Sequence, residues 1–173
     1  TVNLTNGVAS VDVGVIAANE NYKLNVTTIK NAVYKVNSTE VNFKVAKATP
    51  VVNITIGDYS LFEQFEINVT VTVGGVETAT VTVTDNGVDK DSQPLDENCS
   101  ATLSYLIESI GNHQVKVLYD SPADSNYTDY ESEAIVIDVA RLTPTIIVDV
   151  GEFNEVNIGK NAKVNITVKG HDD

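Results

Sequence analysis

A seam that occurs twice constrains this chain more than any other feature. Val45 to Thr55 reads VAKATPVVNIT, and 94 residues later Val139 to Asp149 reads VARLTPTIIVD. Val45, Ala46, Thr49 and Pro50 return as Val139, Ala140, Thr143 and Pro144, with Lys47 replaced by Arg141. Proline has no N–H to give a sheet ladder, and it holds the residue before it extended. A strand ending at Val45, a Thr-Pro pair and a fresh apolar alternation therefore mark a domain boundary entered through an edge strand. The spacing predicts three segments: late strands of an incomplete domain in 1–46, a complete domain in 47–140, and early strands of another incomplete domain in 141–173.

Period-two alternation supports strands throughout, and no stretch has a helical period. In 1–46 the alternating sets are Ala9, Val11 and Val13; Tyr22, Leu24 and Val26; and Val41, Phe43 and Val45. In 47–140 they are Val52 to Ile56, Ile67 to Val73, Ala79 to Val83, Ala101 to Tyr105, His113 to Val117 and Ile135 to Val139. Turns are expected at Gly74-Gly75 and at Asp85-Asn86-Gly87, because Asn-Gly supplies the positive φ of tight hairpins. Roughly seven short strands in about 94 residues is the pattern of an immunoglobulin-like sandwich. In 141–173, Ile146, Val148 and Val150 match the first strand of the middle unit, and Val164, Ile166 and Val168 match the second. Asn21-Tyr-Lys-Leu-Asn-Val likewise falls on Asn112-His-Gln-Val-Lys-Val. The fold class is all-β, tandem immunoglobulin-like β-sandwich domains.

Composition agrees: the chain is 42% hydrophobic, rich in branched residues, and has no Trp or Met. No apolar run approaches the ~18 residues of a membrane span, and any export signal would lie outside this stretch. The net charge of -13 falls almost wholly on 47–140, where three basic residues face sixteen acidic ones. Such acidity repels phosphate backbones and argues against nucleic acid as a partner. The single cysteine, Cys99, can form no internal disulfide, and alternation with Ala101 and Leu103 predicts a buried, inert thiol on a strand.

Chemistry-bearing motifs are few. There is no HExxH, no P-loop, no GxGxxG after a strand and no Ser-His-Asp arrangement in motif context, so no catalytic residues are assigned and no enzyme is expected. Lys23, Lys44 and Lys116 take the outward parity of their strands, which argues against a buried lysine crosslink. Glycosylation sequons are over-represented: Asn3, Asn25, Asn37, Asn53, Asn68, Asn98, Asn126 and Asn165 qualify, eight of eighteen asparagines, where Ser and Thr frequency would give roughly three. Alternating Asn-Val-Thr-Val is also ordinary strand chemistry. Two acidic clusters, 85–97 and 120–133, depart from the Asp-x-Asp-x-Asp-Gly calcium loop. Calcium on Asp91, Asp96, Glu97, Asp124 and Asp129 is therefore the minor alternative, and no other cofactor is expected.

The middle unit resembles the group 3 bacterial immunoglobulin-like repeat. The resemblance lies in VTVTDNG (81–87), ATLSYLIESIGNHQVKVLYD (101–120) and DSNYTDYES (124–132). The Lys-Ala-Thr-Pro seam and the recurring Asn-x-Thr-Val strands look most like adhesin-like surface proteins of methanogenic archaea. That resemblance implies an extracellular, cell-surface location and a structural role in a stalk, filament or surface layer. The alternatives are a ligand-binding module using loop 120–131 and an appendage of a secreted enzyme. One departure stands out. Tyr22 holds the place of a tyrosine corner, whose hydroxyl ties back to upstream backbone, whereas His113 stands there in the middle unit and is expected to serve as a substitute hydrogen-bond donor.

Two further expectations concern joints and ends. Both acidic clusters lie toward the end where the middle unit begins, and lysines of the preceding segment are expected to neutralise them, with a divalent cation as the lesser solution. Segments of 33 and 46 residues fall near or below the ~40 at which unassisted domains fail. Either flanking repeats of a longer chain complete them, or the early half of one copy meets the late half of another by strand addition. The second version packs Ile146, Val148, Val164 and Ile166 on Val11, Leu24 and Phe43 of a neighbour.

Overall fold

The computed structural model describes residues 2–73, 78–149, 158–159 and 164–170. The expected Gly74-Gly75 turn, Val150 and His171 lie outside them. Among the described residues there is no helix, and the chain is all-β. Twelve strands follow in order: β1 (Asn19–Thr27), β2 (Ser38–Val45), β3 (Val51–Ile56), β4 (Gln64–Thr72), β5 (Thr80–Asp85), β6 (Val88–Pro94), β7 (Ser100–Leu106), β8 (Gly111–Asp120), β9 (Tyr130–Glu131), β10 (Ile135–Val139), β11 (Thr145–Asp149) and β12 (Asn165–Lys169).

Two sheets close the middle of the chain into a sandwich-like body. One has the order β3-β4-β7; the other runs β10-β8-β5-β6, with β9 also pairing β8. Every pairing is antiparallel. Alternate residues of β4 (Phe65, Ile67, Val69, Val71) turn inward with Leu103 and Tyr105. They meet Val81, Val83, Val115, Val117, Tyr119 and Ile137 from the other sheet in one buried cluster. Each large side chain so covered contributes ~1.5–3 kcal/mol relative to leaving it in water.

Several local devices make this closure possible. Asn86 and Gly87 both take positive φ (51° and 78°), so β5 and β6 join through the tight turn expected of Asp-Asn-Gly. Where β9 and β10 interrupt the ladder beside β8, the buried Ser132 fills the gap. Its hydroxyl accepts from Val117 N at 3.0 Å and its N–H donates to the Val117 carbonyl at 2.9 Å. Both backbone groups of Val117 are thereby paired. On the open side, Asp91 on β6 accepts the Ser104 N–H of β7 at 2.9 Å, stitching one sheet edge to the other. A bulge at the Val83/Thr84 step accommodates Lys90, whose ammonium lies 5.8 Å from the Tyr105 ring centroid.

Among the described residues, the flanking segments repeat these pairings without a second sheet. β11 and β12 pair with Thr145 opposite Lys169 and Val148 opposite Ile166. This is the register of β3 and β4, where Val51 faces Thr72 and Ile54 faces Val69. β1 and β2 pair with Leu24 opposite Val41 and Tyr22 opposite Phe43. That matches Val115 opposite Ile135 and His113 opposite Ile137. Burial differs sharply: Ile166 is 66% exposed where Val69 is 1%, and Leu24 is 45% exposed where Val115 is 0%. Among the described residues, every buried hydrophobic side chain apart from Pro50 at the seam falls between Phe65 and Val139.

Three expectations need correction. Ala9, Val11 and Val13 form no strand; only a Thr5–Val8 bridge appears in that region. Their counterparts in β7 hydrogen-bond to β4, and the first segment contains no β4 equivalent to pair with. The stretch after Gly87, a polar run whose lack of alternation predicts a loop before Ala101, contains β6. Its polar sequence Val-Asp-Lys-Asp-Ser-Gln-Pro hides a strand because an edge facing water needs no apolar alternation. Cys99 lies in the turn before β7 with φ 55° and is half-buried against the core rather than placed on a strand.

The contrast between equivalent positions predicts different mutational costs. Ile67→Ala should lower the unfolding free energy by about 2–5 kcal/mol, because it empties a filled core site. Val164→Ala, at the matching position of the third segment, should stay within about 0.5 kcal/mol in the dilute chain. Urea titrations monitored by circular dichroism make the comparison.

Candidate functional site

The densest polar chemistry in the structure is buried at the Asn86-Gly87 end of the middle unit. Asp85 closes β5 and His113 stands near the start of β8, and both are almost fully buried. His113 Nδ1 lies 2.6 Å from Asp85 Oδ2, and Nε2 lies 3.0 Å from the Ser109 carbonyl and 3.5 Å from the Ser109 hydroxyl. Ser109, His113 and Asp85 thus come together in a row that the sequence did not announce. Asp85 and His113 are 28 residues apart and meet only because the β5 and β8 ends adjoin.

Hydrogen bonding decides what this row does. A carbonyl only accepts, so Nε2 must carry hydrogen to bond Ser109 O. An Nε2 so occupied has no lone pair for the Ser109 hydroxyl proton, as a nucleophilic serine would require. The bond to Asp85 also needs a proton, and the ring is fully satisfied when both nitrogens donate. His113 therefore clasps the β7–β8 connection to the end of β5. Tyr22 does the same work in the first segment: its hydroxyl donates to the Ala17 carbonyl at 2.9 Å. Substituting histidine for tyrosine brings a second ring nitrogen that needs its own partner, and Asp85 supplies it.

Tyr105 completes the buried group. Burial, then the negative charge of Asp85 and a polar contact with it, pushes the phenol well above the ordinary tyrosine range. Neither the Tyr105 hydroxyl nor Asp85 Oδ1 has a partner at regular hydrogen-bond geometry.

The calcium candidates are dispersed. Asp91 accepts from Ser92 N and Gln93 Nε2 at Oδ1 and from Ser104 N at Oδ2. Asp96 folds the β6–β7 turn by accepting from Asn98 N and Ser100 N at 2.8 Å each. Asp129 accepts from Ser121 N at 2.9 Å. Glu97 and Asp124 are exposed. Among the described residues, no three acidic, histidine or cysteine side chains gather as a metal-binding group. All eight sequon asparagines are exposed. Lys23, Lys44 and Lys116 pair at the surface with Glu40, Glu20 and Glu131. Among the described residues, a hollow of about 330 Å³ is lined by Leu142, Thr143, Pro144 and Gly170.

The first seam is held by backbone rather than by charge. Ala48 N donates to the Asn126 carbonyl, and Thr128 N donates to the Ala48 carbonyl, both at 2.9 Å. Asn126 Oδ1 then accepts Ala18 N at 2.7 Å. Lys23 and Lys44 of the preceding segment pair with its own Glu40 and Glu20, and among the described residues no ion pair crosses the seam. The expected neutralisation by lysines is therefore not how this joint is built; Lys47 reaches the Ala123 carbonyl at 3.5 Å. Pro50 is buried beside it. No family model matches the chain, and no curated protein matches it.

Asp85→Ala should cost roughly 3–5 kcal/mol by stranding a buried ring nitrogen. The pair Asp85→Val with His113→Tyr should recover much of that loss, since it restores the Tyr22 arrangement; a double-mutant cycle by denaturant melts measures the coupling. The Tyr105 shift has a definite sign. A raised folded value stabilises the native state fully below the unfolded tyrosine value near 10, and that contribution fades as pH rises above it. Urea midpoints from about pH 8 to 11 should fall less steeply in Tyr105→Phe than in the parent.

Proposed function

We propose that this chain is a non-enzymatic structural segment of an extracellular, cell-surface protein built from tandem immunoglobulin-like domains, serving as part of a stalk, filament or surface layer. One observation carries the reading: both flanking hairpins reproduce the strand register of the middle unit. An array of like units gains length without a larger core, because each unit contacts mainly its neighbours. The Ala48–Asn126–Ala18 contacts supply such a neighbour joint.

Surface chemistry supports the same reading. Sequon asparagines on exposed strand faces and turns suit a glycan coat on a secreted protein. Glycan attachment uses Nδ2, so Asn126 can carry sugar while Oδ1 keeps its bond to Ala18. The ligand-binding alternative, with loop 120–131 as contact surface, loses ground here. That loop is spent on its own Ser121, Ser125 and Asp129 bonds and on the seam. The Ser109–His113–Asp85 row serves the fold as a clasp, and an enzymatic role draws no support from it.

Peptide mass spectrometry of protein recovered from its native source tests this reading. Surface-accessible material with hexose-containing mass on Asn53, Asn68 or Asn126 is expected. Protein confined inside the cell with all eight asparagines bare would sink it.

A further inference from the structure

The chain contains two Asn-Gly steps, Asn6-Gly7 and Asn86-Gly87, each followed by valine. We propose that Asn6 is a self-modifying site, which converts to isoaspartate or aspartate through a cyclic imide closed with Gly7. The fold withholds Asn86 from the same reaction. In that reaction the Gly7 nitrogen attacks Asn6 Cγ and a C–N bond forms. The Cγ–Nδ2 bond breaks, and Nδ2 leaves as ammonia, carrying the proton that the Gly7 nitrogen gives up. Water then opens the imide at either carbonyl, leaving aspartate or a main chain routed through the side chain.

The two steps are a matched pair in backbone. Asn6 and Gly7 take φ of 52° and 81°, and Asn86 and Gly87 take 51° and 78°. Each step is the tip of a tight antiparallel turn, closed by Thr5 opposite Val8 in one and by Asp85 opposite Val88 in the other. All four tip residues are exposed, so water reaches both. Nothing lies within 4 Å of where a Cβ would stand on either glycine, and neither glycine N–H donates a hydrogen bond among the described residues. Both nitrogens are therefore open to the reaction. Local sequence and turn shape do not tell the two sites apart.

What holds the asparagine does. Asn86 N donates to the Gln114 carbonyl at 3.0 Å, and Asn86 Oδ1 accepts Gln114 N at 3.1 Å, so side chain and backbone together extend the β5–β8 ladder. Ring closure rotates the carboxamide plane, and the Oδ1 bond has to break before the Gly87 nitrogen reaches Cγ. The turn is also anchored in the core through Val83 and Asp85, which are 0% and 5% exposed. Asn6 has none of these restraints. Its carboxamide makes no hydrogen bond among the described residues, and its turn hangs on the paired Thr5 and Val8 backbone bonds, outside any strand. Leu4 and Val8 beside it are each 68% exposed. A turn with so little buried contact opens locally at small cost, whereas opening the other tip costs its bonds to β8. Conversion at Asn6 sacrifices one bridge; at Asn86 it would pull on the strand ends that hold Asp85 against His113.

Timed incubation of the full chain in mildly alkaline buffer tests the assignment, read by peptide mass spectrometry and by isoaspartyl methyltransferase labelling. In the folded chain the peptide holding Asn6 should deamidate at least about ten-fold faster than the one holding Asn86. In urea the two rates should come within about three-fold of each other, because both steps read Asn-Gly-Val. Asn6→Gln should remove the fast phase and leave the Asn86 rate unchanged. Equal rates in the folded chain, or no conversion at Asn6, would overturn the assignment. A gap that persists undiminished in urea would overturn the fold as its cause.

Discussion

A sheet with one apolar face is stable only when something covers that face, and this requirement governs the whole chain. In the middle unit, β3-β4-β7 and β10-β8-β5-β6 cover each other, and their inward side chains vanish from solvent. In the flanking segments the same strand pairs form in the same register, yet Leu24, Ile146 and Ile166 remain in water. Backbone pairing alone sets register. Burial against a second sheet supplies the free energy that makes it endure.

The polar features follow from that closure. A sandwich leaves open sides and chain crossings, and each is held here by a named contact: Asp91 to Ser104 N, Ser132 to Val117, and His113 between Asp85 and Ser109. The last is the most exposed to error, because a buried charged or proton-sharing pair is costly when incomplete. Tyr22 reaches the same end with one hydroxyl and no carboxylate. The seam obeys the same economy, since the Ala48 N–H donates to the Asn126 carbonyl and the Ala48 carbonyl accepts from Thr128 N.

Much of this was legible in the sequence where burial is one-sided. Alternation located β1 to β5, β7, β8 and β10 to β12, and Asn86-Gly87 located the hairpin turn. It failed where periodicity carries no information. β6 is a polar edge; Ala9 to Val13 has the pattern of a strand but lacks a partner; Cys99 lies at a turn despite fitting the alternation. Of the chemistry, His113 was legible as a donor through its alignment with Tyr22. Its partnership with Asp85 was not, because it depends on which strand ends adjoin. The acidic clusters suggested a cation, but the structure spends Asp91, Asp96 and Asp129 on backbone N–H groups.

Residue-resolved hydrogen exchange on the dilute, monomeric chain reports most directly on whether closure, not pairing, confers stability. Amides of β4, β5 and β8 should exchange only through global unfolding, while those of β11 and β12 exchange through local opening despite sharing the β3–β4 register. Equal protection of β4 and β12 in the monomer would contradict the account.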